Sequence, residues 1–173
     1  MIERPTGLIQ LPSDGISIGP LLTREQFLAS TLAAQCRELV RNEPYCSFAL
    51  PTVEISGHSF AWSVWFRGSV LQRVSIHCAD AEFGSSWSEW SEERELARKR
   101  FHDSLLQSIL GQDWSHQRFS WGAVDSRYDP KGGFSSIGVT YAASSPERCK
   151  LQPIELCPDD STVRRFENDD DGP

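Results

Sequence analysis

The chain has 173 residues, and 39% of them are hydrophobic, including six Trp and nine Phe. This length and composition predict one compact domain with an aromatic core, since each buried aromatic removes roughly 150–250 Å² from water. The formal net charge of −7 argues against a nucleic-acid partner. Residues 155–173 alone carry −5, which leaves about −2 for residues 1–154, so the acidity lies mainly in the C-terminal segment.

The cysteines and the N-terminal residues predict a cytoplasmic protein. The chain begins without a basic region followed by an apolar run, so we expect no signal peptide. The most apolar uncharged stretch, residues 55–66, is too short and too polar to span a bilayer, and we expect no membrane partner. An odd number of cysteines without framework spacing indicates reduced thiols. These are Cys36, Cys46, Cys78, Cys149 and Cys157.

The first predicted elements are an N-terminal arm and a helix. Residues 1–20 are rich in Pro and Gly and are expected to form an arm or an edge strand. Thr23 is a good N-cap, with Gln26 in capping-box position. Apolar residues then continue the helical pattern as far as Asn42, where Pro44 ends it. They are Phe27, Leu28, Leu32 and Leu39.

Residues 45–79 predict three strands. A first run contains Pro51, which indicates an edge strand or a bulge. Apolar and polar residues then alternate over residues 59–67 and again over residues 70–79. The turn Gly68-Ser69 joins these two runs. Consecutive strands joined by short turns predict an antiparallel meander.

Residues 86–110 predict one long helix. Ser86 and Glu89 have capping-box spacing, acids crowd the first turns, and Gly111 is suited to the C-terminal cap. A stripe about 80° wide is expected to pack on the sheet. It consists of Trp87, Trp90, Ala97, Phe101 and Leu105. We expect Trp90 and Phe101 to be buried.

A hairpin closes the domain. Residues 119–128 and 134–141 flank Asp129-Pro130-Lys131-Gly132-Gly133, where Pro presets the turn and Gly supplies positive φ. This turn resembles a phosphate-binding loop only superficially, because such a loop needs a strand on one side and a helix on the other. Periodicity fails after Ala142, which predicts an irregular to disordered acidic tail over residues 144–173.

These elements predict the α+β class. We expect a largely antiparallel sheet of about five strands with two main helices on one face, in the order (β)-α-β-β-β-α-β-β. The N-terminal arm would cover residues 1–20, the domain residues 21–143 and the tail residues 144–173.

Two further motifs are expected to be structural. Trp87-Ser88-Glu89-Trp90-Ser91 matches the W-S-x-W-S box of extracellular cytokine receptors, but the charged helix that follows contradicts that setting. His102 and Asp103 are adjacent on a helix, so their side chains point about 100° apart and form no catalytic pair. Glu95 and Lys99, in contrast, have the i,i+4 spacing of a surface ion pair.

The sequence predicts neither a metal site nor a cofactor. Zinc sites favour close Cys or His pairs, and none is present, since His77 and Cys78 are direct neighbours on a strand. A cysteine nucleophile with a distant histidine stays open, because such partners need not be close in sequence. A small buried hydrophobe is the more usual role of a cysteine.

An acidic cluster begins the long helix. Such runs usually form a solvated face that complements the helix dipole. The functional alternative is a surface that steers a basic partner towards the protein. The candidate partner-binding residues are Glu89, Glu92, Glu93 and Glu95.

Three segments carry a resemblance to known proteins: residues 16–30, with I-S-I-G-P-L-L-T-R-E-Q-F-L-A-S; residues 83–106, around the W-S-E-W-S motif; and residues 121–141, around D-P-K-G-G. Together they resemble a group of small uncharacterised bacterial α+β proteins, some of which are associated with immunity to secreted toxins. The resemblance implies a shared fold and transfers no functional residue, because the matching positions are typical of core, cap and turn.

The leading hypothesis is a non-enzymatic bacterial protein-binding domain, an immunity protein that occludes a basic toxin or effector. A type III-like secretion chaperone or adaptor is the alternative that the order of elements suggests, although the charged long helix suits an apolar dimer face poorly. An enzyme of unknown class is the third. The sequence leaves the oligomeric state and the role of the acidic tail open.

Overall fold

The structure is a computed structural model that describes residues 2–11, 16–84, 86–116 and 118–142. The strands are β1 (Ile9–Gln10), β2 (Ser17–Ile18), β3 (Arg37–Asn42), β4 (Tyr45–Ala49), β5 (Val53–Ile55), β6 (His58–Arg67), β7 (Val70–Cys78), β8 (Gly122–Asp129) and β9 (Phe134–Tyr141). The helices are α1 (Arg24–Leu28) and α2 (Glu92–Leu110). Single 3₁₀ turns lie at Ala33–Gln35, Ala81–Phe83, Trp87–Glu89 and Trp114–His116.

Seven strands form one sheet, and every pairing in it is antiparallel. The strand order is β3-β4-β6-β7-β9-β8, and β5 also pairs with β6. The predicted α+β class and antiparallel sheet are therefore confirmed, but the strand count of about five was too low. The first predicted strand is split at Pro51 into β4 and β5, which both pair with β6.

The two helices lie on one face of the sheet, as predicted. The ring centre of Phe27 on α1 lies 5.2 Å from that of Phe48 and 5.5 Å from that of Phe66. The ring centre of Phe101 on α2 lies 6.4 Å from that of Phe60. Phe60 and Phe66 lie on the same face of the sheet, because they are separated by an even number of residues along β6. The opposite face carries no helix among the described residues.

The N-terminal residues, expected to form an arm or an edge strand, pack into the same core as the sheet. Ile9 and Ile18 are fully buried where β1 pairs with β2. The indole N–H of Trp121 donates to the backbone oxygen of Arg4 over 2.9 Å. Gly7 has φ +70°, and a Cβ there would lie 2.3 Å from the Trp121 ring, so this close approach requires glycine. The predicted tail, residues 144–173, lies outside the described residues.

The predicted first helix is correct at its beginning and wrong beyond its first turns. Thr23 forms the expected capping box with Gln26, but α1 ends at Leu28. The hydroxyl of Ser30 donates to the backbone oxygen of Phe27 and accepts from the N–H of Ala33, which offers the backbone an alternative to helical bonding. Residues 37–42 form the edge strand β3, whose residues are all exposed.

The long helix was predicted to begin at Ser86, but α2 begins at Glu92. Trp90 has extended backbone geometry (ψ 135°) that ends the 3₁₀ turn, and the Ser91 hydroxyl, rather than that of Ser86, caps α2 by accepting the N–H of Arg94. Gly111 ends the helix as expected. The buried face is also rotated by about one residue, or 100°, from the predicted stripe. It consists of Glu95, Arg98, His102, Leu106 and Leu110.

Candidate functional site

Three exposed aromatic side chains surround the junction between the start of α2 and the β8–β9 turn. Trp87 is 81% exposed, Trp90 42% and Phe134 48%. The expectation that Trp90 is buried was therefore wrong, and Phe101 is only half-buried. The indole N–H of Trp90 donates to the backbone oxygen of Gly133, which fixes the ring against the turn. Together with Glu89, Glu92 and Glu93, these three aromatic residues form what we call the aromatic–acidic surface.

The predicted hairpin turn packs against the Trp90 and Phe134 rings of this surface. Gly133 has φ +67°, and a Cβ there would lie 3.4 Å from the indole nitrogen of Trp90. A Cβ on Gly132 would lie 2.7 Å from the ring of Phe134. Both glycines let the turn lie directly against aromatic rings. Their packing role accounts for them without the chemistry of a phosphate-binding loop.

A cleft of about 230 Å³ opens between these aromatic residues. Its lining includes Glu95 and Arg98, which form a buried ion pair, 4% and 6% exposed. Glu95 accepts the N–H of Ser135 over 2.7 Å, and Arg98 donates to the backbone oxygens of Phe83 and Gly84. The Arg98 Nε has no hydrogen-bond partner among the described residues.

Three of the four predicted partner-binding acids lie on the surface, and the fourth does not. Glu89, Glu92 and Glu93 are exposed, whereas Glu95 is buried and is no longer a candidate contact residue. The expected Glu95–Lys99 pair was also wrong. Glu95 pairs with Arg98 because it faces the sheet, and Lys99 pairs with Asp103 over 2.7 Å.

The acids produce a negative field that reaches strand β8. The pKa of the Tyr128 phenol is raised, first by loss of hydration and then by the charges of Glu92, Glu95 and Asp129. A phenolate beside these carboxylates would be repelled, so the neutral form is favoured. The aromatic–acidic surface therefore combines exposed aromatic rings with exposed carboxylates, and Glu92 is among the charges that act on Tyr128.

His102 is a buried structural residue. It is fully buried on α2, and its Nε2 accepts the backbone N–H of Cys78 over 3.0 Å. Burial lowers the pKa of His102 to about 3, and the neighbouring His77 and Arg98 contribute to this lowering. The ring is therefore neutral and joins α2 to β7. As expected, it forms no pair with Asp103.

The burial of His102 predicts a loss of stability on acidification. The unfolded chain takes up a proton as the pH falls below about 6.5, whereas folded His102 stays neutral down to about pH 3. Its contribution is complete above pH 6.5 and is lost progressively below it, by about 2 kcal/mol between pH 7 and pH 5. The free energy of unfolding, measured with urea at pH 7 and at pH 5, should fall on acidification by about 2 kcal/mol less in His102→Gln than in the native protein. Equal losses in the two proteins would contradict this role of His102.

A second cluster lies at the open end of the β6–β7 hairpin. The Nδ1 of His58 lies 2.7 Å from the Oδ2 of Asp80, and the N–H of Ser59 donates to Asp80 Oδ1 over 2.8 Å. The carboxylate also accepts a hydrogen bond from the Cys78 thiol. Burial opposes ionisation of Asp80, but the Ser59, His58 and Cys78 donors outweigh it and lower the pKa of Asp80. One ligand atom from each of His58, Cys78 and Asp80 lies within 4.8 Å of the others.

This cluster is poorly suited to nucleophilic catalysis. Burial raises the pKa of the Cys78 thiol to about 11, and Cys78 is fully buried. A catalytic cysteine needs a lowered pKa and access to substrate, and Cys78 has neither. Three cysteines are described, and they are thiols as expected: Cys36, Cys46 and Cys78. Cys149 and Cys157 lie outside the described residues.

This cluster was missed from the sequence because only metal ligands that are close together along the chain were considered, whereas His58 and Asp80 are 22 residues apart. The sequence did contain a signal: a hairpin that turns at Gly68-Ser69 places His58 near Asp80, two residues beyond Cys78. The register confirms this arrangement, because Phe60 pairs with Cys78. Alternation then places the three side chains on one face.

The open face of the sheet is a third feature. A groove of about 640 Å³ there is lined by Trp65, Arg73 and Arg127, among others. Arg73 donates twice to Asp125 over 3.2 Å, and Arg127 donates to the same carboxylate. Because these charges satisfy one another, the face offers a weaker electrostatic attraction than the acids around α2.

The described part of the chain contains no helix that is both long and apolar enough to cross a membrane. Comparison of the whole sequence with protein-family models, with curated proteins and with solved structures returned no match.

Proposed function

We propose that the chain is a non-enzymatic protein-binding domain and that the aromatic–acidic surface contacts a basic protein. The single observation that carries this proposal is the exposure of Trp87, which is 81%, within a group of three aromatic side chains edged by acids. Large aromatic residues at the centre of an interface contribute most of its binding energy, and a polar rim excludes water around them.

The acids indicate the chemistry of the partner. Glu89, Glu92 and Glu93 are exposed beside these rings, and a negative rim accelerates encounter with a positively charged protein. The cleft between Trp90 and Phe134 would receive an apolar or cationic side chain, since aromatic faces attract cations. A basic protein therefore fits the surface better than an acidic one.

The biological form that we propose is immunity to a secreted toxin in a bacterial cytosol. The resemblance of three segments to a group of small bacterial proteins, some of which are associated with immunity to secreted toxins, motivates it, and the acidic, aromatic contact surface is compatible with occlusion of a basic toxin. The buried Cys78 thiol, with its raised pKa, supports binding over cysteine catalysis.

Site-specific photo-cross-linking in cells tests the surface and requires no candidate partner. A photoreactive phenylalanine analogue placed at Trp87 is expected to capture a protein of net positive charge. The matched control is the same analogue at Leu21, which is 75% exposed and lies outside the aromatic–acidic surface. Capture of the same protein from both positions, or no capture from position 87, would contradict the proposal.

The immunity assignment has its own test. Expression of the captured protein alone should arrest growth of a host cell, and co-expression of this chain should restore growth. A captured protein that leaves growth unchanged would refute the toxin assignment while leaving the contact surface in place.

A further inference from the structure

The cluster at the open end of the β6–β7 hairpin combines a nitrogen, a sulfur and an oxygen ligand. We propose that His58 Nδ1, Cys78 Sγ and an Asp80 carboxylate oxygen bind one zinc ion, with water in the fourth position. This site is separate from the aromatic–acidic surface and does not depend on the proposed function. The ligand set is the one that zinc accepts, whereas magnesium and calcium require oxygen ligands.

The spacing of the three groups fits a tetrahedral ion after small side-chain rotations. Zinc bonds of about 2.0–2.3 Å place ligand atoms roughly 3.3–3.8 Å apart in a tetrahedral site. The His58 and Asp80 atoms are now 2.7 Å apart, and no pair of the three ligand atoms is farther apart than 4.8 Å. Each group therefore moves by about 1 Å or less to reach coordination distances.

Neighbouring groups already orient the ligands. The Ser59 N–H donates to Asp80 Oδ1 and leaves Oδ2 directed at His58. The His58 ring packs 4.7 Å from that of Phe101, which limits its rotation. Partners of this kind fix ligand orientation in metal sites and raise metal affinity.

The ion has a path from solvent. The side chains of His58 and Asp80 are 40% and 21% exposed, whereas Cys78 is fully buried beneath them. Zinc would enter between these two partly exposed groups and reach the Cys78 sulfur on the buried side of the site. Zinc takes the place of the proton between His58 Nδ1 and Asp80, and the zinc-bound neutral ring carries its proton on Nε2; the thiol proton of Cys78 is released to solvent.

Equilibrium dialysis of the untagged, metal-free full chain against micromolar zinc chloride tests the site. We expect about one zinc per chain, a rise in Tm of about 5 °C at saturating zinc, and a thiolate-to-metal charge-transfer band with Co²⁺. The background carries Cys149→Ser and Cys157→Ser, so that sulfur outside the described residues does not contribute.

Variants separate this site from incidental binding. His58→Gln and Cys78→Ser should each weaken zinc binding at least about tenfold. The matched control Cys46→Ser removes another buried thiol, 4% exposed, and should bind zinc like the parent chain that carries only Cys149→Ser and Cys157→Ser. If Cys78→Ser does not fold, His58→Gln at its partly exposed position decides the question. Binding below about a tenth of an equivalent, or binding unchanged in His58→Gln, would overturn the proposal.

Discussion

The Glu95→Ala variant is expected to unfold with a free energy about 3–5 kcal/mol below that of the native protein. Glu95 is 4% exposed, pairs with Arg98 and accepts the N–H of Ser135. Its removal leaves the Arg98 guanidinium buried without a counter-charge and the Ser135 N–H without an acceptor. Both losses reduce stability, because a buried charge or hydrogen-bond donor has given up its interactions with water and, in the variant, has no protein partner in their place.

Urea unfolding with a matched control decides this prediction. Glu93→Ala removes an equal charge two residues earlier on the exposed side of α2, and should change the free energy of unfolding by no more than about 0.5 kcal/mol. Equal, small losses in the two variants would show that Glu95 behaves as a surface residue, as its place in the acidic cluster suggested.

The Phe27→Ala variant is expected to lose about 3–5 kcal/mol for a different reason. Phe27 is fully buried and its ring contacts those of Phe48 and Phe66. Truncation removes these contacts and leaves a cavity between α1 and the sheet, which five residues of helix cannot readily collapse to fill.

The adjacent residue supplies the control. Leu28 is 50% exposed, so Leu28→Ala keeps the helix and removes little buried surface; the expected loss is about 1 kcal/mol or less. Melting and urea curves should therefore separate two neighbouring truncations by several-fold in free energy. Similar losses at both positions would contradict the packing of α1 on this sheet.

Local signals were enough to predict much of the fold. The alternation over residues 59–67 and 70–79, the turn at Gly68-Ser69 and the capping box at Thr23 all predict elements that are present. Each depends on residues that are close in sequence. The α+β class followed from the order of such elements.

Predictions failed where tertiary contacts compete with local propensity. Residues 37–42 have charged and apolar residues that suit a helix, but pairing with β4 makes them an edge strand. Charged side chains are tolerated there and protect an edge from further pairing. Periodicity alone does not distinguish these outcomes.

The buried face of α2 illustrates a second limit. Apolar periodicity assumes that apolar residues mark the core, but Glu95, Arg98 and His102 occupy the inward positions, where each forms a hydrogen bond with another of the three or with a nearby backbone group. Trp90 lies outside because its indole N–H binds the β8–β9 turn, 43 residues away. A buried polar network of this kind becomes visible only when its partners are known.

The candidate surface was identified in part. The sequence indicated the acids at the start of the helix, but it placed Trp87 and Trp90 in the core and Glu95 on the surface. The structure reverses these assignments and so changes an acidic patch into an aromatic surface with an acidic rim. We therefore expect the affinity for the proposed partner to depend on the apolar area of the aromatic rings as well as on the charge of the acids.

The association rate of the protein captured from position 87 tests the proposed contact surface most directly. Reversal of Glu89, Glu92 and Glu93 to Lys is expected to slow association at least about tenfold at low salt and to flatten or invert its salt dependence. A control variant changes net charge equally at three exposed acids elsewhere, Glu25, Glu38 and Glu54. We expect a much smaller change for the control, because these acids lie away from the contact surface. Equal rates and salt slopes for the two triple variants would contradict the assignment of binding to this surface.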